Sequence, residues 1–349
     1  MAKIVLGLGS AHSPMLSLGG ERWSEYGERD KANPMLTAIP SGEVMPYEDS
    51  LSQADPSIAK GLTPEKLQAQ HDSCQKAIAT LEKTLKDVNP DVVVIVGDDQ
   101  EEMFFDDNMP LFSVYWGDSM HLIPRHIGDN APQIVRDSAW GYGDVEMDVP
   151  VDAELGLHLI HHLVEADFDV GHIRYQNDQY GGAVGPSGYL NYNHVTAPRR
   201  QGMPHAFAFV VKRLMNGNTK PIVPVFQNTF YPPNQPSPRR CYAFGQAIGK
   251  AIEAWDSDKR VAVVASGGLS HFTVDEEVDW MALNGMRDKD AAALSSLPRH
   301  RLNAGTSEIL NWVTAAGALE TLDMEVVGYE PVYRSPAGTG GGWGFARWQ

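Results

Sequence analysis

Three histidines stand where a loop, rather than a helix interior, would hold them. His12 lies in Gly9-Ser10-Ala11-His12-Ser13-Pro14, His205 in Gly202-Met203-Pro204-His205-Ala206, and His271 ends Ser266-Gly267-Gly268-Leu269-Ser270-His271. The proline two residues after His12 keeps that imidazole out of a helix interior. A loop imidazole can ligate a metal or move a proton near neutral pH. One such histidine alone more often makes a surface hydrogen bond, so the three matter only if the fold brings them together. Glu308 follows Asn303-Ala304-Gly305-Thr306-Ser307 and precedes Ile309-Leu310-Asn311-Trp312. An acid in the first turn of an apolar helix usually complements the helix dipole. It becomes a site residue if His12 faces it.

Other candidates read as structural. His158, His161 and His162 have helical i, i+3 and i+4 spacing, but the last two point apart and no acid completes a metal set. His71 is expected to be solvated on a helix surface. Gly267-Gly268 suits a tight turn or a close backbone approach to a ligand. Gly338 to Gly342 lacks the Gly-Lys-Ser/Thr of a phosphate loop, and there is no Gly-x-Ser-x-Gly nucleophile elbow.

The elements that must position these residues alternate between β and α patterns, which predicts an α/β fold. Lys3–Leu8 reads as a first strand delivering His12. Thr63 caps a helix beginning at Pro64, whose apolar stripe is Leu67, Cys74, Ala77, Ile78, Leu81 and Leu85; Asn89-Pro90 stops it. Asp91–Val96 is a β-branched strand ending in Gly97-Asp98-Asp99-Gln100, and Leu111–Trp116 is a third strand. Asp152 opens a helix to Glu165. Pro221–Phe226 and Val261–Ala265 are strands, Arg239–Trp255 is a helix, and further helices are predicted at 275–286 and 304–318. Residues 117–148 look irregular, 171–204 form a long Gly/Tyr/Asn-rich loop, and the tail with Gly338–Gly342 reads as a loop. The prediction is a single domain over 1–349. It has a mixed central sheet flanked by helices, long active-site loops, and 16–60 as an irregular insertion or lid.

Composition narrows the partners. The 349 residues are 42% hydrophobic and 21% charged, enough for a sizeable core and against a disordered chain. The 45 Asp and Glu outnumber 28 Lys and Arg, for a formal net charge of −17. That excludes nucleic acid and anionic membrane as expected partners, since phosphate contacts dominate such binding. No apolar run approaches a membrane span. Two cysteines, Cys74 and Cys241, argue against a disulfide framework and against a cysteine-based zinc site. The amino terminus reads as a strand and not as a signal peptide, so the expected compartment is the cytoplasm.

Several segments, in order along most of the chain, resemble the class III extradiol ring-cleavage dioxygenases, the protocatechuate 4,5-dioxygenase β-subunit-like family. They are Gly9–Pro14, the strand ending Gly97-Asp98-Asp99-Gln100, Gln227–Gln246 with the block Pro238–Gly249, Ser266–His271 and Ala304–Ala318. The resemblance implies a non-haem Fe(II) enzyme that inserts O2 next to the diol of a catecholic aromatic. It implies His12 as first metal ligand, Glu308 as the carboxylate ligand, His271 as the catalytic acid/base and His205 as the second pocket histidine. It also carries the expectation of a homo-oligomer, with or without a small accessory subunit. The family's second metal histidine follows Asn-Asp, and here Gln100 stands in its place. Gln100 or Asp99 is then the candidate for that ligand position; an amide oxygen is a weaker donor than imidazole. The alternative is a metal-free or metal-altered partner subunit of a dioxygenase complex. A zinc hydrolase and a plain binding protein stay open beside it. Tyr180, Tyr189 and Tyr192 are candidates to line the pocket, and Arg239 or Arg240 to anchor a substrate carboxylate.

Overall fold

The most apolar run, β2 (Val92–Gly97), lies in the middle of the sheet and is buried along its whole length. Its Val92, Val94 and Val96 join one hydrophobic layer and its Val93 and Ile95 the other. That alternation follows from the two-residue period of a strand covered on both faces. The computed structural model describes residues 1–105, 107–125, 127, 131–177 and 200–349, so Tyr180, Tyr189 and Tyr192 lie outside the described residues.

The other strands are β1 (Lys3–Ser10), β3 (Phe112–Tyr115), β4 (Ser119–Leu122), β5 (Met147–Pro150), β6 (Gly171–Ile173), β7 (Ile222–Gln227), β8 (Arg260–Ser266), β9 (His271–Thr273), β10 (Met324–Tyr333) and β11 (Thr339–Trp348). The main sheet has the order β10-β11-β1-β8-β2-β7-β3-β6, with β9 paired to β11; β4 and β5 form a separate ribbon. Strands β1, β8, β2 and β7 are parallel neighbours. Strand β11 runs antiparallel to β1, and β3 antiparallel to β7. The chain is therefore an α/β protein with a mixed sheet, as its pattern predicts. Because the four central strands are parallel, their carboxyl ends open on one edge, where such sheets place ligands.

Helices cover both faces. Pro64–Val88 lies on one face, capped by Thr63, whose hydroxyl accepts from the Lys66 amide, and ended by Asn89 in the left-handed region (φ 49°). Beside it packs the helical stretch His205–Phe209 and Val210–Met215. The opposite face carries Ala153–Glu165, Pro238–Ala254, Glu276–Arg287 and Ile309–Ala318.

Three regions differ from the sequence expectation. The glycine-rich tail is no loop: β11 pairs with β10 from Met324↔Trp348 to Tyr333↔Gly340 and with β1 and β9. Glycine lowers strand propensity locally, but pairing on both edges and burial of Trp343, Phe345 and Trp348 decide the outcome. Residues 117–148 hold β4, most of β5's approach and the Gln133–Ser138 helix. Within 16–60 lie the short helical turns Gly20–Arg22, Trp23–Gly27, Glu28–Ala32, Tyr47–Gln53 and Pro56–Gly61.

This segment is tied down by buried polar contacts that no helical period reveals. Arg334 donates to both oxygens of Asp30 at 2.7 and 2.8 Å, and Thr339 Oγ1 donates to Asp30 at 2.5 Å. The Thr37 amide donates to Thr273 Oγ1 at 3.2 Å, beside β9. His71 is half-buried rather than solvated, with its ring 5.9 Å from that of the fully buried Trp23. His158 Nε2 binds the Ala251 carbonyl at 2.8 Å, a structural contact. Cys74 and Cys241 are free and buried. Among the described residues, no helix is long and apolar enough to cross a membrane.

Candidate metal centre and active site

The carboxyl edge of the parallel strands gathers residues far apart in sequence. His12 follows β1 by two residues, Asp98 follows β2 directly, and Ser266 ends β8. His205 heads the helix after Pro204 and sits beneath this edge. Glu308 ends the turn Ala304–Glu308 and leads into the Ile309–Ala318 helix. Two glycines admit it. A Cβ at Gly267 would lie 3.1 Å from Glu308, and one at Gly305 would lie 2.2 Å from His271 Cδ2. Trp312, one helical turn beyond Glu308, is fully buried and donates its indole N–H to Gly267 O at 3.0 Å, clamping the turn after β8.

His12, Asp98, His205 and Glu308 each bring a donor atom into a group whose members all lie within 4.8 Å of one another, and all four are buried. His12 Nε2 is 3.1 Å from Glu308 Oε2. Its Nδ1 donates to Ser266 Oγ at 3.0 Å, while that hydroxyl donates to Ala206 O at 2.6 Å. The Nε2 atom is therefore the one that faces the group. Asn311 donates to Asp98 Oδ1 at 3.2 Å. Asp98 Oδ2, 3.8 Å from His205 Nε2, has no hydrogen-bond partner. A fully buried carboxylate oxygen without a donor is costly, and a cation seated among the four would satisfy it. Imidazole and carboxylate donors together suit a divalent iron-type ion. The residues present thus fit the metal that the family resemblance implies.

His271 is placed one shell outward. Its Nδ1 donates to Leu269 O at 2.9 Å and its Nε2 lies 3.1 Å from Glu308 Oε1. Burial disfavours the imidazolium, but the charge and hydrogen bond of Glu308, with the Leu269 carbonyl and the Asp98 charge, together outweigh it and raise the His271 pKa. Glu308 shows the converse: burial alone would raise it, yet His271 and His12 hold it well below the usual carboxylate range. Asp98 is pushed up to about 6, by burial first and then by Glu308. His205 is raised to about 9 because the adjacent Glu102 outweighs the burial that would lower it.

Two ligand candidates stand differently from the sequence reading. Asp99 is not among the four: its Oδ1 accepts the Met103 amide at 2.9 Å, and its Oδ2 those of Glu102 and Phe104 at 3.2 and 3.1 Å. Its carboxylate is occupied in closing its own turn. Gln100 is half-buried at the rim and donates its amide to Glu308 Oε1 at 3.3 Å. Sequence reasoning missed Asp98 and Glu102. The available signal was a run of four acids, Asp98, Asp99, Glu101 and Glu102, directly after a fully buried strand; all four are buried. Arg239 is exposed, and Arg240 packs over Phe168 at 4.2 Å, so neither reaches this group.

Residues 207–340 match the profile of the catalytic LigB subunit of aromatic ring-opening dioxygenase. This match, over the carboxyl-terminal part of the chain, agrees with the class III extradiol dioxygenase resemblance of its motifs. The matched span includes His271 and Glu308; His12, Asp98 and His205 lie before it. Among curated relatives, a 2,3-dihydroxyphenylpropionate/2,3-dihydroxicinnamic acid 1,2-dioxygenase of Comamonas testosteroni is 24% identical over 198 residues, covering 56% of this chain and 48% of the relative. A second, from Dechloromonas aromatica (strain RCB), is 29% identical over 204 residues, covering 58% and 50%. Gallate dioxygenase of Pseudomonas putida is 56% identical over a short stretch of 36 residues, 10% of this chain and 11% of that one. The chain spans about half the length of the 1,2-dioxygenases it matches.

Proposed function

We propose that this chain catalyses the extradiol cleavage of a catecholic aromatic compound by O2 at a non-haem Fe(II). The observation that carries the reading is the convergence of two imidazoles and two carboxylates on one sheet edge, with a further imidazole on the outer oxygen of Glu308. The LigB match and the dioxygenase relatives support it.

His12, Glu308 and Asp98 would hold the metal. Bound there, Fe(II) supplies the Lewis acidity and electron transfer that join O2 to the ring. His271 is the acid/base. Its Nδ1 proton is fixed on Leu269 O, so Nε2 is the atom that takes a proton from a catechol hydroxyl and returns one during ring opening. Gln100 donates to the same Glu308 oxygen and helps hold that carboxylate still. An apolar cluster of buried Phe230, Tyr231 and Ala304, packed by Met35, Met109 and Phe272, includes the residue that follows His271, and its half-buried Phe272 would offer a surface for an aromatic ring. The 16–60 segment, pinned beside β9, would restrict water there.

Gln100 at the family's histidine position favours the second reading, a partner subunit that binds no metal. One experiment separates the two. Anaerobic reconstitution with Fe(II) should leave about one iron per chain, and an oxygen electrode should then register uptake with a catechol alongside a ring-opened product. His271→Ala should retain the iron and lose on the order of 10²–10⁴ in rate. Failure to retain iron, or iron-loaded protein that consumes no O2 with any catechol, would remove the dioxygenase reading.

A further inference from the structure

Position 100 carries no imidazole, yet a second imidazole does stand among the donors. The His205 ring lies 4.6 Å from that of His12 at an interplanar angle of 69°. Its Nδ1 is 2.6 Å from Glu102 Oε2, and its own backbone amide donates to Glu102 Oε1 at 3.0 Å. Arg125 Nη2 donates to that same Oε1 at 2.8 Å, and the guanidinium lies 4.3 Å over the Tyr142 ring. Tyr142 in turn donates its hydroxyl to His12 O at 2.7 Å. Glu102 is therefore held by three donors, and one of them is the Nδ1 proton of His205. This leaves the Nε2 atom of His205 on the side of Asp98 Oδ2, the buried oxygen without a hydrogen-bond partner.

His12 has the matching arrangement, with Nδ1 on Ser266 Oγ and Nε2 toward the group. Metal-bound histidines characteristically donate their other ring N–H to a carboxylate or a similar acceptor, which fixes the tautomer and strengthens the donor. Gln100 meets neither condition, because its amide nitrogen is turned to Glu308.

We propose that His205 is the second imidazole ligand of the metal in place of the residue at position 100, that Asp98 is an added carboxylate ligand, and that Glu102 is the positioning residue for His205. This rests on the reading of the chain as a metal-dependent dioxygenase. Proton transfer is then left to His271, since the Nε2 of His205 is committed to the ion.

The test uses Co(II) as the probe, added anaerobically to the full chain, followed by visible absorption and by paramagnetically shifted proton resonances. Each coordinated imidazole contributes one shifted exchangeable N–H signal. Wild type should show two such signals, His205→Gln one, and Gln100→Ala two. Glu102→Gln should move or abolish one signal and weaken Co(II) binding by about 10–100-fold, with Glu102→Asp recovering part of it. Because Glu102→Gln disturbs its pairing with the half-buried Arg125, the wild-type signal count decides the ligand assignment whether or not that variant folds. Wild type that binds Co(II) through a single imidazole overturns this proposal and leaves the dioxygenase reading standing. The same holds if Gln100→Ala weakens binding as much as His205→Gln, or if a folded Glu102→Gln matches wild type in both signals and affinity. Wild type that binds no Co(II) overturns both.

Discussion

Asp98 and Asp99 are neighbours of one chemical type, and the direction of the backbone gives them opposite work. Asp99 turns back on the chain and closes the turn Glu102–Phe104 through three amides, whereas Asp98 points at imidazoles with one oxygen unpartnered. Their substitutions should separate. Asp99→Ala leaves three amides without an acceptor and should cost about 2–4 kcal/mol, at roughly 1–3 kcal/mol per stranded buried group with partial rehydration. Asp98→Asn removes a carboxylate that burial and Glu308 oppose, so the metal-free protein should be as stable as wild type or more so. Its Co(II) affinity should fall by at least about tenfold. Denaturant unfolding and Co(II) titration of both variants check this; a destabilised Asp98→Asn with normal metal affinity would reverse the two roles. From the linear chain, His12, His205, His271 and Glu308 could be named because loop and helix-start positions leave a distinct local signature. The choice between Asp98, Asp99 and Gln100 could not be made, because three consecutive side chains point in different directions and only the turn geometry says which way.

At the scale of elements, the site depends on the turn that joins β8 to β9. Asp279, on the Glu276–Arg287 helix, accepts from the Ser270 amide at 2.6 Å, from Ser270 Oγ at 2.8 Å and from Tyr329 Oη at 2.8 Å. These contacts tie the residue before His271 to both a helix and β10. Burial pushes the Asp279 carboxyl up from 3.8 to about 7, against the lowering effect of Ser270 and Tyr329. A carboxyl raised in the folded state binds more protons there than in the unfolded chain. Its contribution is therefore greatest below the unfolded value and is lost as pH rises through the folded one. The unfolding free energy of wild type, measured relative to that of Asp279→Asn, should fall as pH rises from about 4 to about 7. A difference that is flat or rising over that range would contradict the assignment. The helix Pro64–Val88 and the strand β2 were legible from periodicity and capping alone. The β10–β11 hairpin was not, because its glycines carry no apolar alternation and its partners are β1 and β9, distant in sequence.

For the whole molecule, the candidate centre joins the end of β1, the end of β2, the helix begun by His205 and the turn before Ile309. An ion held by all of them would tie these separate segments together at one edge of the sheet, and it binds the folded state alone. At a hundredfold excess over its dissociation constant it should add about 2.7 kcal/mol. For a chain of this length that amounts to an upward shift of roughly 4 °C in the melting temperature. A chelator should reverse the shift, and Asp98→Asn should reduce it. A melting temperature indifferent to Fe(II) or Co(II) would mean that the four groups do not act together. The net charge of −17 works in the same direction, because buried and surface acids together favour a bound cation.

The alternating pattern of the chain determined the α/β class and the loops on which chemistry could sit, because strand and helix periods are local properties of a sequence. Only the tertiary structure decided that an imidazole from after Pro204 stands beside His12, that Asp98 rather than Asp99 faces it, and that the glycine-rich tail completes the sheet. Each of these depends on which distant segments share an edge or a turn, and that is settled by packing and hydrogen bonding between elements rather than within them.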